Sequence, residues 1–315
     1  MDVLAEVMAL LRTKGQLYGR LELRAPFALE FPAGRGICLI VTGGSCLLGV
    51  DGGGPFPIAG GDFVFLPAAQ AYTLRDAPGG RPGRAVDVMP EQQFRRTRLM
   101  THGGGGPGVS IVAGCFTFAS PDGALLVRHL PPVVHLSAAG PHATPWFRAT
   151  LDQIAAESAS GLPGAEAVVD RLAEVLFVHA MRSHIASSGM AAGGLAAGGG
   201  SWLRGVGDPQ VGEALRLMHA EPARAWTVSD LADEVGMSRS AFADRFRALV
   251  GQTPLEHLTQ WRMVRAATLM REQRGRTMAA VAAEVGYRSE SSFGKVFRRV
   301  MGAPPGRYRS RAAVE

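Results

Sequence analysis

The sequence predicts an α+β protein in which a β-rich N-terminal part is followed by an all-helical C-terminal part. Two observations support this prediction. The N-terminal part contains short apolar runs separated by Gly and Pro turns, and the last third contains apolar residues at helical spacing within an internal repeat. With 315 residues, of which 47% are hydrophobic, the chain is long enough for two domains with separate cores.

The predicted strands of the N-terminal part are short apolar runs between turn residues. In chain order these runs read GQLYGRLEL, GICLIVTG, SCLLGV, FPIAGGDFVFLP, AYTL, AVDVM and VSIVAGCFTFA. Helical spacing precedes them in Met1–Leu11 and follows them in 144–160 and Gly164–Ile185. Many short strands at this spacing are typical of a β-barrel or a sandwich, here flanked by helices.

Positive charge is concentrated in the last third of the chain. The whole sequence has 33 Lys and Arg and 27 Asp and Glu, a net charge of +6. Residues 1–201 carry no net charge, whereas residues 239–311 contain 15 basic and 5 acidic side chains. A basic module joined to a neutral one indicates a polyanion partner at one end, with a solubilising basic surface as the alternative.

The change in charge coincides with a segment of linker composition. Residues 187–201 read SSGMAAGGLAAGGGS, without charges, aromatics or periodicity. Such a segment is typical of a flexible linker, and the alternative is a loop within one domain. We therefore predict three parts, residues 1–186, the linker 187–201 and residues 202–315.

Two segments of the last third repeat each other. Leu231–Pro254 reads LADEVGMSRSAFADRFRALVGQTP, and Val281–Pro305 reads VAAEVGYRSESSFGKVFRRVMGAPP. Five residues match at an offset of 50, and after one inserted residue two phenylalanines, a glycine and a proline match at an offset of 51. Two copies of one supersecondary unit explain this pattern.

Each repeat has the pattern of a helix-turn-helix. In the first copy, Thr227 with Asp230 is expected to cap a short helix, Gly236 to end it, and Ser238 to cap the next helix. The equivalent residues of the second copy are Thr277, Gly286 and Ser289. The alternative is a helical scaffold without a role in DNA binding, which the duplication and the basic charge disfavour.

The second helix of such a unit fits the major groove of DNA and presents its exposed side chains to base edges. We expect these positions to be Arg239, Ser240, Ala243, Asp244 and Arg247 in the first copy, and Glu290, Ser291, Gly294, Lys295 and Arg298 in the second. Residues 255–273 predict a connecting helix about 28 Å long, which would hold the two reading helices about one DNA turn, ~34 Å, apart. Candidate phosphate contacts are Arg262, Arg265, Arg307 and Arg309.

Residues 208–309 resemble the DNA-binding domain of the AraC/XylS family of transcriptional regulators. The resemblance lies in WTVSDLADEVGMSRSAFADRFRALVGQTPLEHLTQWRM and VAAEVGYRSESSFGKVFRRVMGAPPGRYR. It implies sequence-specific binding of double-stranded DNA and either recruitment of RNA polymerase, as an activator, or repression. Asp244 departs from the basic or amide residue that relatives often carry, although a carboxylate can accept from cytosine N4. Gly294 offers no side chain, so the bases that are read stay open.

Residues 1–135 resemble the cupin-type effector domain of one AraC branch, most clearly in GGDFVFLPA. The resemblance makes the predicted fold class α+β, with a cupin-like β-barrel and flanking helices followed by a double helix-turn-helix. In such regulators the helices after the barrel often dimerise, which implies a homodimer. The candidate contacts, for which core burial is the equal alternative, are Leu172, Val175, Leu176, Val178, His179 and Met181.

No metal or other cofactor is predicted. Metal cupins use clustered His and Glu, typically with an HxH pair, and this chain has no HxH. After GDFVFLP the sequence has Gln70 and Tyr72 where relatives often have a histidine. The histidines of this part are scattered, at His102, His129, His135 and His142. Gly103–Gly106 is not followed by GK[ST], so it predicts a loop rather than a phosphate cradle.

Three cysteines without a CxxC spacing exclude a disulfide framework and a zinc motif. Cys38 and Cys46 flank a Gly-Gly turn and would meet across a hairpin, while Cys115 lies in an apolar run. Because some relatives with this sensor type respond to reactive chlorine through thiols, all three are candidate redox sensors. The alternative is that they are small buried hydrophobes and that the signal is a small apolar or aromatic molecule.

The predicted function is that of a one-component transcriptional regulator, not an enzyme. The barrel would receive a small-molecule or oxidant signal, and the C-terminal repeats would bind DNA. The alternative is a cupin-fold enzyme that carries a basic helical appendage. The acidic residues Asp2 and Glu6 exclude a signal peptide, and no apolar run is suited to span a membrane, so a cytoplasmic protein without membrane contact is expected.

Overall fold

The structure is a computed structural model, and the chain divides into two compact units. The barrel unit holds residues 13–117 and 131–184, and the helical unit holds residues 185–311 together with the described residues among 1–12, Phe118 and Leu130. The residues that the structure describes are 3–5, 7, 13–34, 36–51, 53–67, 70–79, 82–89, 94, 96–118, 130–140, 144–188, 202–273 and 275–311.

The strands of the barrel unit coincide with most of the predicted apolar runs. They are β1 (Thr13–Arg24), β2 (Ala28–Phe31), β3 (Ile37–Gly43), β4 (Ser45–Val50), β5 (Phe56–Ala59), β6 (Phe63–Leu66), β7 (Tyr72–Arg75), β8 (Gly83–Arg84), β9 (Leu99–Gly103), β10 (Gly108–Phe118) and β11 (Val134–Leu136). The prediction was wrong for AVDVM, because Ala85–Val88 forms the short helix α1. The sequence patterns also missed β2, β8, β9 and β11.

Two sheets enclose the main core of this unit. One sheet has the strand order β11-β6-β3-β10-β1-β9, and the other has the order β5-β4-β7-β2-β8. In the second sheet Leu48, Leu74 and Leu29 lie side by side across β4, β7 and β2, and all three are buried. They pack with buried residues of the first sheet such as Leu39 and Val41. Alternation along each strand therefore fills the space between the sheets with apolar side chains.

Two helices cover the outer face of the six-stranded sheet. They are α2 (Pro145–Ser160) and α3 (Ala165–Ser188), as predicted from their periodicity. Phe65 of β6 and Phe116 of β10 meet Phe177 of α3, with ring centroids 5.0 Å and 4.7 Å from it. All three rings are almost fully buried, so this face forms a second apolar layer.

The helical unit contains the predicted pair of helix-turn-helix elements. Its helices are α4 (Trp202–Gly207), α5 (Pro209–Ala220), α6 (Val228–Glu234), α7 (Arg239–Val250), α8 (Pro254–Glu272), α9 (Met278–Glu284), α10 (Glu290–Met301) and α11 (Pro305–Arg311). The first helix-turn-helix is α6 with α7, the second is α9 with α10, and α8 is the predicted connecting helix. The α+β prediction, with a helical repeat after a β-rich part, is confirmed.

Some predicted features fall outside the described residues. Val3, Leu4, Ala5 and Val7 are helical, as predicted, and the rest of Met1–Leu11 is not described. Residues 187 and 188 of the predicted linker belong to α3, and residues 189–201 are not described. His129 and His142 also lie outside the described residues. Among the helices of the described part, none is long and apolar enough to cross a membrane.

Candidate nucleic-acid interface

Helix α7, predicted to be the first reading helix, is fixed by its two ends and its buried face. Gly236 takes the positive φ of 67° that the turn requires, and the Ser238 side chain caps α7 by accepting from the Ala241 amide at 3.3 Å. Phe242 and Phe246 are fully buried on the inner face. The opposite face is open, since Arg239, Ser240, Asp244 and Arg247 are exposed and Ala243 is partly exposed.

Helix α10, predicted to be the second reading helix, is built in the same way. Ser289 accepts from the Ser292 amide at 3.1 Å, and Gly302 ends the helix with a φ of 75°. Phe293 and Phe297 are fully buried, as their counterparts are in α7. Glu290, Ser291, Lys295 and Arg298 are exposed, and Gly294 is partly exposed. The sequence therefore predicted correctly which sides of both helices are solvent-accessible.

The first helices of the two elements carry matching ion pairs. Glu234 of α6 accepts from Arg224 at 3.2 Å, and Glu284 of α9 accepts from Arg276 at 3.0 Å. The glutamates are repeat equivalents at an offset of 50, and each arginine lies in the segment that precedes the helix. Both pairs are largely exposed, so they stabilise each helix only modestly. The predicted cap formed by Thr227 and Asp230 is a reciprocal capping box.

The four candidate phosphate contacts differ in what their side chains do. Arg265 and Arg307 are exposed. Arg309 donates from Nη1 to the Arg276 carbonyl at 2.9 Å. Arg262 donates from Nε to the Pro222 carbonyl at 2.6 Å and from Nη2 to the Arg224 carbonyl at 2.8 Å. On charge alone, the sequence predicts all four as phosphate contacts, and it carries no signal of the backbone partners of Arg262 and Arg309.

An ion pair that the sequence analysis missed anchors the start of α5 to α7. Asp208 caps α5 by accepting from the Gln210 and Val211 amides at 3.1 Å and 2.9 Å. It also accepts from Arg245 Nη2 of α7 at 2.6 Å. Burial raises the pKa of Asp208, but the hydrogen bonds and charge of Arg245 and the two amides hold it below its ordinary value of 3.8. The Asp-Pro pair at the helix start was the available signal.

A buried polar cluster lies beneath the first element. His219 of α5 and His257 of α8 face each other with their Nε2 atoms 3.1 Å apart, and Gln252 contacts His257 Nδ1 at 3.0 Å. The His219 ring stacks on Trp261 with the ring centroids 3.6 Å apart. Burial, and then the neighbouring His257, keeps the pKa of His219 well below its ordinary value of 6.5. The sequence gave no sign that these residues would meet.

The cysteines lie on different layers of the barrel unit. All three are buried, with Cys46 in the core between the sheets. Cys38 of β3 pairs across the strands with Phe65 and Gly114, and Cys46 of β4 pairs with Ile58 in the other sheet. The expected hairpin contact between Cys38 and Cys46 is therefore wrong, since β3 and β4 belong to different sheets. Burial raises the pKa of each of these two thiols to about 12.

In the barrel unit, His135 and two glycines of the predicted 103–106 loop make hydrogen bonds within the fold. His135 lies 3.0 Å from Asp62 Oδ2 through its Nε2, so it is a partner of a buried carboxylate. Gly104 and Gly106 donate their amides to the Arg24 and Ala25 carbonyls at 3.0 Å and 2.9 Å. These two amides of the predicted loop are thus already engaged by the backbone. Among the described residues, no group of three or more His, Cys, Asp and Glu side chains is arranged to hold a metal ion.

A cavity of about 200 Å³ opens on the outer face of the five-stranded sheet. Glu30 of β2, Thr73 and Arg75 of β7 and Asp51 after β4 line it. The Arg75 Nε atom is buried without a hydrogen-bond partner among the described residues, and Nη1 donates to the Gly79 carbonyl at 3.3 Å. No sequence pattern marks this place, because Glu30, Asp51 and Arg75 are far apart along the chain.

Helix α3 presents an apolar stripe on the side away from the sheet. Val168 and Val175 are both 39% exposed, and Trp146 of α2, which is 44% exposed, stacks on His179 with ring centroids 4.3 Å apart. Leu172 and Val178 are partly exposed. Leu176 and Met181, also predicted as dimer contacts, are instead fully buried in the unit.

Known proteins match both parts of the chain. A cupin family model matches residues 2–186, and a helix-turn-helix domain model matches residues 231–311. A putative AraC-like transcription regulator of Streptomyces lividans is 38% identical over 315 residues, which cover 98% of each chain. The HTH-type transcriptional regulator AlkR of Acinetobacter baylyi is 30% identical over 263 residues, 80% of each chain. A solved DNA-binding domain of AdpA in complex with a target DNA is 32% identical and covers 34% of this chain and 95% of that one, with a TM-score of 0.32.

Proposed function

Because this chain belongs to the AraC family of DNA-binding transcriptional regulators, we propose that α7 and α10 are its two reading helices and enter consecutive major grooves of one duplex. The duplication carries this proposal, since equivalent phenylalanines are buried and equivalent polar side chains are exposed in both helices. The α8 helix of 19 residues between them has a length of about 28 Å, close to one turn of DNA.

Base edges are the proposed targets of the exposed reading positions. Among the basic side chains at these positions, Arg239 is nearest the start of α7 and Lys295 is nearest the start of α10. Side chains near the start of a reading helix reach deepest into a groove. Exposed Arg307 and Arg265 are assigned to phosphates, which orient the protein without reading sequence. Asp244 is assigned to a cytosine N4 amino group.

Fluorescence anisotropy on the full chain tests these assignments. The duplex is one selected by the protein from random sequences. Arg239→Ala and Lys295→Ala are each expected to reduce discrimination against a mismatched base by about 1–3 kcal/mol, whereas Arg307→Ala weakens binding to all sequences alike. Arg84→Ala, an exposed arginine of the barrel unit, is the matched control. Equal loss of affinity for matched and mismatched duplexes in Arg239→Ala and Lys295→Ala would refute the base assignments.

We further propose that a second copy of this chain covers the apolar stripe of α3. Val168, Leu172 and Val175 follow one another at helical spacing on one side of α3, and Trp146 extends the stripe onto α2. A two-fold axis would place the stripe against itself, as in an isologous dimer. Val175→Glu is expected to shift the mass measured by sedimentation equilibrium from that of a dimer to that of a monomer. Ala156→Glu, at an exposed position of α2, is the control. An unchanged mass of Val175→Glu would contradict the proposal.

The signal is proposed to be a small polar molecule that binds the cavity near Arg75. The space between the sheets is filled by apolar side chains, whereas this cavity joins a guanidinium with the carboxylates of Glu30 and Asp51. A molecule with one acidic and one basic group matches these charges. The melting temperature of the full chain, and of its Arg75→Met variant, is measured with each of the twenty standard amino acids added in turn at millimolar concentration. A stabilising shift that Arg75→Met removes supports the site, and the absence of any shift rejects this ligand class.

We also propose that this chain acts in the cytoplasm, where it binds DNA and changes the rate of transcription by RNA polymerase. The relatives are transcriptional regulators, which favours a role without catalysis over the cupin-fold enzyme. Transcription in vitro from the selected operator, with and without this chain, measures whether the transcript rises or falls. No change in transcript yield with the operator occupied would contradict a direct effect on RNA polymerase.

A further inference from the structure

The segment between α5 and α6 contacts α6, α8 and the turn of the second helix-turn-helix. This segment, residues 221–226, is called the 221–226 loop. Trp226 is buried, and its Nε1 donates to the Glu221 carbonyl at 3.2 Å, which closes the loop on itself. The Arg224 guanidinium lies 3.7 Å from the Trp226 ring centroid and pairs with Glu234 of α6. The loop is therefore tied to the first helix-turn-helix.

The same loop is tied to α8 by Arg262. The Arg262 guanidinium donates to two loop carbonyls, those of Pro222 and Arg224, at 2.6 Å and 2.8 Å. The Arg224 carbonyl also accepts from the Trp226 amide at 2.8 Å. Two donors from a planar guanidinium to two carbonyls define an orientation that a single ammonium group cannot reproduce.

The other side of the loop meets the turn of the second helix-turn-helix. Gly286 in that turn has a φ of 83°, and a Cβ atom built there would come within 2.7 Å of the Ala223 carbonyl oxygen. Only a glycine lets the two backbones approach so closely. The next residue, Tyr287, has its ring centroid 5.8 Å from the Arg262 guanidinium carbon.

We propose that Arg262 is a positioning residue that fastens the 221–226 loop between the two helix-turn-helix elements and so fixes the separation of the two DNA half-sites they read. The inference rests on the proposed function, since it presupposes that α7 and α10 each occupy a groove. It reassigns Arg262, which the charge pattern alone had placed among the phosphate contacts. Arg262 joins α8 to the loop that contacts both elements. Its loss is expected to let the two elements move against each other while each element keeps its own caps and core.

The experiment measures the affinity of the full chain for a series of duplexes. The series contains the selected operator, the same operator with one base pair added or removed between its half-sites, and a duplex with a single half-site. Wild-type protein is expected to bind the selected spacing best. Arg262→Ala is expected to lose about tenfold in affinity for the selected spacing and little for the altered spacings and the half-site. Arg262→Lys is expected to behave as Arg262→Ala, because an ammonium group cannot bridge both carbonyls.

Arg265→Ala is the matched control on the same helix. Arg265 is exposed and assigned to phosphate, so its loss is expected to weaken binding to every duplex and to reduce the slope of log affinity against log salt by about 0.9. Arg262→Ala is expected to leave that slope unchanged. If instead Arg262→Ala lowers affinity equally at all spacings and reduces the salt slope, Arg262 is a phosphate contact and the proposal is overturned.

A second variant approaches the same contact from the other side. Gly286→Ala pushes the turn away from Ala223 and is expected to flatten the spacing preference as Arg262→Ala does. Retention of the wild-type spacing preference by a folded Gly286→Ala would also overturn the proposal, even if Arg262→Ala failed to fold. A wild-type chain that prefers no spacing, or binds only one half-site, would instead reject the proposed function.

Discussion

His219 and His257 share one hydrogen bond inside the DNA-binding module, with their Nε2 atoms 3.1 Å apart. Gln252 Nε2 lies 3.0 Å from His257 Nδ1, and this NH2 nitrogen can only donate. His257 therefore carries its proton on Nε2 and donates it to His219. This chain of donors requires both imidazoles to be neutral. A proton added to His219 Nε2 would place two N–H groups face to face.

The neutral pair predicts a pH dependence of stability. The folded-state pKa of His219 is well below 6.5, so the folded form stays neutral while the unfolded chain takes up a proton. The stabilisation is complete above pH 6.5 and falls as the pH drops below it, by up to about 1.4 kcal/mol per pH unit for one proton. Urea denaturation at a series of pH values measures this slope. His219→Phe should reduce it, and an unchanged slope in His219→Phe would contradict the assignment.

Asp208 is expected to stabilise the helical unit through its cap and its ion pair. Asp208→Ala removes the acceptor of the Gln210 and Val211 amides and the partner of Arg245, and loss of such a cap costs about 1 kcal/mol. The free energy of unfolding, from urea titration, is the measurement. Arg245→Ala removes only the ion pair, so it should destabilise less. Equal effects of the two variants would show that the cap contributes nothing.

Asp62 is expected to stabilise the barrel unit as a buried carboxylate. It accepts from the Ala59 and Ala138 amides and lies against His135. Burial raises the pKa of Asp62, but the His135 and backbone hydrogen bonds bring it below 3.8. Its contribution is therefore present above pH 3.8 and is lost as the pH falls through the lower folded-state pKa.

The Asp62→Asn variant tests this role. An amide nitrogen cannot accept, so one buried N–H loses its partner and the barrel unit should be destabilised by about 1–3 kcal/mol. The melting temperature of the full chain is the measurement. Asp87→Asn, at an exposed position of α1, is the control, and equal melting temperatures for the two variants would refute the prediction.

The buried thiols are expected to react slowly. With a pKa of about 12 for Cys38 and for Cys46, the thiolate that attacks alkylating reagents and oxidants is rare at neutral pH. Mass spectrometry after iodoacetamide treatment of the native chain should find these positions unmodified until denaturant is added. Alkylation of either as fast as free cysteine would contradict the prediction and favour redox sensing.

Local features were predictable from the sequence, and long-range ones were not. The caps at Ser238 and Ser289 and the turn at Gly236 depend on neighbouring residues, so their patterns identified both helix-turn-helix elements. The partners of Arg262 and the meeting of His219 with His257 depend on how distant segments fold together, which periodicity does not encode. The same limit explains why the predicted contact between Cys38 and Cys46 is wrong. The consecutive strands β3 and β4 belong to different sheets, which their sequences do not indicate.

The central claim is that α7 and α10 occupy consecutive major grooves of one duplex. Dimethyl sulfate protection of the selected operator measures this directly, since the reagent methylates guanine N7 in the major groove. We expect two patches of protected guanines whose centres lie about 10–10.5 base pairs apart. A single protected patch, or two patches at another separation, would contradict the account.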